Sequence, residues 1–89
     1  MRFLHQEFEG GPAATVEVEI SQQANVMLVD AVNFAAYRAG RQFRYFGGWQ
    51  TKSPARLAPP HSGRWHVVVD MGGRGGTLRA DIRIYGNAS

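Results

Sequence analysis

The chain reads as a small all-β protein, an antiparallel β-sandwich or partly open barrel with one short helical turn. Three observations predict this. Residues 15–21 alternate cleanly, with Val16, Val18 and Ile20 on one face and Glu17 and Glu19 on the other, the pattern of a half-buried antiparallel strand. Residues 77–85 repeat it, with Leu78, Ala80, Ile82 and Ile84 opposite Thr77, Arg79, Asp81, Arg83 and Tyr85. Two further runs, residues 25–30 and 65–70, are dense in β-branched and aromatic side chains between polar, Gly and Pro punctuation, as strands are.

Taken in order, residues 3–8 place Phe3, Leu4 and Phe8 at both parities, a first strand without clear phase that Gly10-Gly11-Pro12 ends. The alternating strand follows, and Gln22-Gln23 connects it to residues 25–30. That run is apolar on both faces, which predicts a strand buried between layers. Residues 31–40 are the only stretch that leans helical. Asp30 or Asn33 can cap it, Phe34 and Tyr37 lie three apart, and Gly40 suits a left-handed exit, giving one to two turns. Residues 41–46 alternate basic and aromatic side chains and read as a strand ended by Gly47-Gly48. Residues 49–62 read as loop, with a short edge strand around Ala55-Arg56-Leu57 between Pro54 and Pro59-Pro60. Pro60-His61-Ser62-Gly63 then forms a turn into the strand 65–70, and the Gly-rich residues 72–76 make a hairpin loop into the closing strand. The expected core is Val16, Val18, Ile20, Val26, Leu28, Trp65, Val67, Val69, Leu78, Ala80, Ile82 and Ile84.

A chain of 89 residues is one domain, 1–89, near the small end of what folds alone. The absence of Cys removes disulfides, thiolate metal sites and Cys nucleophiles, leaving packing or self-association to supply stability. The opening residues lack the apolar core of a signal peptide and no long apolar run occurs, so a cytoplasmic location is expected. Net charge is +3, unevenly spread: residues 1–30 hold one basic and five acidic side chains, residues 31–60 five basic and none acidic, residues 61–89 four basic and two acidic. Such asymmetry can neutralise itself within the fold, direct association between copies, or face an anionic partner.

Three segments together carry a family resemblance. They are residues 24–30 with Asn33-Phe34 and Tyr37; Gly40-Arg41 with Arg44-Tyr45 and Gly47-Gly48; and Pro60-His61-Ser62-Gly63 with residues 65–70 and Gly72-Gly73. They resemble the bacterial domain-of-unknown-function family catalogued under the number 1883, over most of the chain. The resemblance implies a small, stand-alone, β-rich bacterial domain. In some architectures such a domain is joined to signalling domains of the Toll/interleukin-receptor type, which suits interaction or ligand sensing. It assigns no chemistry.

The residues themselves offer few sites. His61-Ser62 near His66 suggests nucleophile and base, yet Ser62 precedes a strand in a Pro-x-Ser-Gly turn, unlike the strand-to-helix elbow of serine hydrolases. No catalytic residue is predicted. His5, His61, His66 and Asp70 are the imidazole and carboxylate set for a metal, but His66 and Asp70, four apart on a strand, stand roughly 13 Å from each other. No metal and no cofactor are predicted. The Arg-Gly-Gly element in residues 72–76 lacks the Lys-Ser/Thr ending and helix of a phosphate loop.

The remaining constellation is basic and aromatic: Arg38, Arg41, Arg44, Tyr45, Trp49, Lys52, Arg56 and Arg64. These side chains can form a protein interface, since Arg stacks on aromatic rings and forks onto carboxylates. They can bind an anionic ligand or single-stranded nucleic acid by neutralising phosphates and stacking on bases. They can also serve the fold alone, with Phe43, Tyr45 and Trp49 in the core and arginines paired to Glu17, Glu19 or Asp30. The predicted ligand or interface residues are Arg41, Arg44, Tyr45, Trp49, His61, Ser62, Arg64 and His66. Partners follow in the order protein or second copy, then nucleic acid, with no membrane.

Overall fold

The computed structural model describes residues 3–72 and 77–86. The elements are β1 (Phe3–Gly10), β2 (Thr15–Ile20), β3 (Ala24–Asp30), α1 (Ala31–Arg38), β4 (Phe46–Gln50), β5 (Ala55–Leu57), β6 (Gly63–Asp70) and β7 (Ala80–Tyr85). They form a four-stranded sheet ordered β1-β6-β3-β4 over a three-stranded sheet ordered β5-β2-β7. Every pairing is antiparallel. The sheets stay separate rather than closing into a barrel, so of the two predicted architectures the chain adopts the sandwich.

The space between the sheets is apolar. Phe8 of β1, Val16 and Val18 of β2, Ala24, Val26 and Leu28 of β3, Ala55 of β5, and Trp65, Val67 and Val69 of β6 are buried there. Ile20, Leu57, Leu78, Ala80, Ile82 and Ile84 close its rim. All twelve residues expected in the core belong to this cluster.

A second cluster occupies the opposite face of the four-stranded sheet. Met27, Val29 and Val68, the other parity of β3 and β6, pack with Phe34 of α1, flanked by Phe3, Tyr37 and Phe43. The helix is therefore a third layer, and β3 and β6 are apolar on both faces because each face is covered. Asp30 ends β3 and caps α1: its Oδ1 accepts the Asn33 backbone N–H at 2.8 Å and the Asn33 side-chain amide at 2.9 Å.

Two sequence expectations are corrected. Residues 41–45 are irregular, and the strand runs over Phe46–Gln50 through the glycines expected to end it. Gly47 makes this possible: at φ +103° it brings β4 so close to β3 that a Cβ would lie 2.3 Å from the Val26 carbonyl oxygen. Trp49, expected in a loop, is consequently a strand residue. The second correction concerns the closing hairpin. β6 is already flanked by β1 and β3, so no edge remains for β7, which crosses to the other sheet and pairs with β2 from Thr15↔Tyr85 to Ile20↔Ala80. Of the predicted Gly-rich hairpin loop, residues 73–76 lie outside the described residues.

Candidate functional site

Register places the polar side chains of the outer face in rows. Phe3, Asp70, Asn25 and Trp49 form one row across β1, β6, β3 and β4. His5, Val68, Met27 and Gly47 form the next, and Glu7, His66 and Val29 a third. α1 lies over this surface and divides it into a covered network and an exposed strip.

In the covered network Asp70, only 3% exposed, accepts three hydrogen bonds. They come from the Asn25 amide at 2.9 Å, the Gly72 backbone N–H at 2.9 Å and the Tyr37 hydroxyl at 2.6 Å. Burial, followed by the bond to Asp70 and its charge, raises the Tyr37 phenol well above its ordinary range. One row away, His5 Nε2 and His66 Nδ1 are 2.7 Å apart. Phe34 stacks on both imidazoles, at 4.4 Å from His5 and 4.2 Å from His66. One nitrogen of this contact must lack a proton to accept, so the two rings cannot both be cationic and keep the bond. Burial lowers the His66 pKa below 6.5, the charge of His5 lowers it further, and Glu7, 3.7 Å from Nε2, opposes the shift.

The predicted interface residues fall into separate places. Arg41, Arg44 and Tyr45 lie exposed in the segment joining α1 to β4, and Trp49 stands on β4, 40% exposed. The Arg44 backbone N–H donates to Asn33 Oδ1 at 2.7 Å, tying this segment to the start of α1. Tyr45 packs on Phe43 at 5.4 Å, and Phe43 meets Tyr37 edge-on at 5.1 Å. Tyr45 and Trp49 thus do not fill the core, and Phe43 joins the helix-side cluster. Among the described residues Arg41, Arg44 and Lys52 make no ion pair. Other arginines do: Arg56 meets Glu17 at 3.0 Å and Arg83 meets Glu19 at 3.6 Å. Asp30 instead caps the helix.

Arg64 is engaged too, at 3.1 Å from Glu9, and that hydrogen bond holds its pKa above the ordinary value. His61 and Ser62 occupy the exposed turn before β6. The indole N–H of Trp65 donates to the His61 carbonyl at 3.1 Å, and a Cβ on Gly11 would sit 2.6 Å from Ser62 Oγ, so the turn is folded tightly against the chain. The structure brings His66 to His5 rather than to His61.

Residues 1–88 match the family model described as Domain of unknown function (DUF1883). The chain belongs to that family. No curated protein and no solved structure matches it. In this DUF1883 chain every buried side-chain nitrogen and oxygen among the described residues has a hydrogen-bond partner. No group of three or more His, Cys, Asp and Glu gathers among them as a metal site, and no helix among them is long and apolar enough to cross a membrane. The network under α1 is thus internally satisfied, while the strip from Arg41 to Trp49 presents its side chains outward.

Sequence reading did not find the Tyr37-Asp70-Asn25 network or the His5-His66 pair. A signal existed in parity: Phe3, His5 and Glu7 share one face of β1 and His66, Val68 and Asp70 one face of β6. Which strand lies beside which is what joins them, and spacing along the chain does not carry that.

Proposed function

We propose that this chain is a non-catalytic interaction module that binds an acidic protein segment through the strip from the end of α1 along β4. The observation that carries this reading is that Arg41 and Arg44, which make no ion pair among the described residues, stand beside large rings left half in solvent. Tyr45 is 48% exposed and Trp49 40%. Arginines beside exposed aromatic rings supply both charge recognition and desolvated contact area. Arg38 at the helix C-terminus and Lys52 after β4 extend the same charge. Phe46, of the same parity as Leu28, turns to the other face of the sheet, where it meets Trp65 at 5.9 Å, and the His61 ring lies 5.0 Å from the same indole. A cytoplasmic setting belongs to this reading and suits a Cys-free chain.

Isothermal titration of a glutamate-rich peptide tests it. Binding that weakens with salt and drops at least about tenfold in the Arg41→Glu/Arg44→Glu double variant supports the proposal. Equal affinity in the variant overturns it. An oligouridylate that binds where the peptide does not, with affinity falling steeply in salt, transfers the strip to single-stranded nucleic acid.

A further inference from the structure

Each sheet of the sandwich ends in two edges that no other described strand covers: β1 and β4 in one, β5 and β7 in the other. Three of them are blunted. β5 has three residues and follows Pro54 directly. β4 carries Gly47 and Gly48 at φ +103° and +144°, which turn its backbone out of a flat ladder. β7 bears Asp81 and Arg83, and Arg83 is already held by Asp81 at 3.1 Å and Glu19 at 3.6 Å. β1 shares only the device of β7, since Glu7 and Glu9 meet Arg64 at 3.7 and 3.1 Å. It is the longest of the four edges, eight residues, free of Pro, with no Gly before its last position. A long edge strand is a template for another strand.

We propose that β1 pairs antiparallel with β1 of a second copy about a two-fold axis at Gln6. The pairing joins two four-stranded sheets into one continuous sheet. It is independent of the strip proposed above, which lies at the opposite edge.

The register follows from the sequence of the strand. A two-fold axis through the sheet keeps each face continuous, so only residues of like parity can stand opposite one another. Centred on Gln6, His5 faces Glu7 of the partner subunit, Leu4 faces Phe8 of the partner subunit, and Gln6 faces its own copy. An imidazole then stands opposite a carboxylate on one face and Leu4 opposite Phe8 on the other, while Phe3 stands opposite Glu9. Centring on Glu7 sets two carboxylates face to face, and centring on His5 sets two imidazoles together and Leu4 against an amide. Of these three registers the one centred on Gln6 is the most self-complementary, as a closed two-fold contact favours.

The monomer supplies the groups this contact needs. Leu4 points to the same face as Phe8 yet is 40% exposed. Gln6 between them is exposed as well. The Glu7 carboxylate stands 3.7 Å from both Arg64 and His66, longer than a hydrogen bond, which leaves it able to accept a closer donor.

The absence of Cys makes the test direct. Sedimentation equilibrium of the full chain from micromolar to millimolar concentration is expected to show a monomer–dimer equilibrium. Gln6→Lys, which puts two cations opposite each other at an exposed position, is expected to weaken it about fivefold or more with thermal stability retained. Under mild oxidation Gln6→Cys is expected to form a disulfide-linked dimer, since residues facing their own copy across an antiparallel pair fall within disulfide reach. A monomer throughout the range overturns the proposal. So does a dimer unaffected by Gln6→Lys, or one that cross-links through Ile82→Cys on β7 and not through Gln6→Cys.

Discussion

The two faces of the four-stranded sheet are made from the same strands and solve different problems. Toward the three-stranded sheet, β3 and β6 offer Val26, Leu28, Trp65, Val67 and Val69, and that side is dry. Toward α1 the alternate positions of the same strands include Asn25, His66 and Asp70 among Met27, Val29 and Val68. Where β3 and β6 cross the centre of the first face, Val26 to Leu28 and Trp65 to Val69, no polar side chain interrupts it. The second is covered by an eight-residue helix, so it holds polar groups that must satisfy one another. The inner face therefore sets stability by area and shape, and the outer face fixes where α1 and the chain after it lie.

Truncation separates the two most strongly. Leu28→Ala opens a cavity in the sealed face and is expected to cost about 2–5 kcal/mol in chemical denaturation. Asp70→Ala, on the outer face, removes the shared acceptor of the Tyr37 hydroxyl, the Asn25 amide and the Gly72 N–H, and about 2–3 kcal/mol is expected. Its distinguishing sign is that amides of α1 should exchange faster while those of β2 do not. Tyr37→Phe removes one of the three donors and should cost about 1–2 kcal/mol by the same measurement. Loss of stability as large as that of Leu28→Ala would mean the helix side is as tightly sealed as the core.

The histidine pair gives the comparison a pH dependence. Burial and His5 depress the His66 pKa, so the unfolded chain binds more protons than the folded one just below pH 6.5. Stability is then highest above pH 6.5 and falls as pH drops from there toward the depressed folded value. Melting temperatures across that range should fall more steeply for the native chain than for His66→Gln, while Leu28→Ala should lower the whole curve and leave its slope. An unchanged slope in His66→Gln would contradict the assignment. At the small end, Arg44→Glu lies on the exposed strip and should shift stability by no more than about 0.5 kcal/mol.

What the sequence discloses follows the same division. Alternation at Val16-Glu17-Val18-Glu19 and through residues 78–84 reports which side chains face the inner core, because burial on one face leaves a period of two. Asp30, Phe34, Tyr37 and Gly40 mark the helix through capping and spacing. The run 25–30 correctly implies layers on both sides. Strand order does not show. The closing hairpin was expected from a Gly-rich loop, whereas β6 already had two neighbours and β7 completed the other sheet. β4 was hidden by Gly47-Gly48, glycines that end most strands and here permit the close approach of one. The polar network was hidden for a third reason: Tyr37 on α1 and Asp70 on β6 are joined only by tertiary packing.

The exposed strip joins the segment after α1 to Trp49 on the outer face of β4, and its proposed role is docking. The most direct measurement is amide chemical-shift mapping of the full chain during titration with a glutamate-rich peptide. Shifts are expected to concentrate at residues 38–50 and to weaken in step with added salt. Shifts confined to β1 or to the turn at His61 and Ser62, or none at low salt, would contradict it.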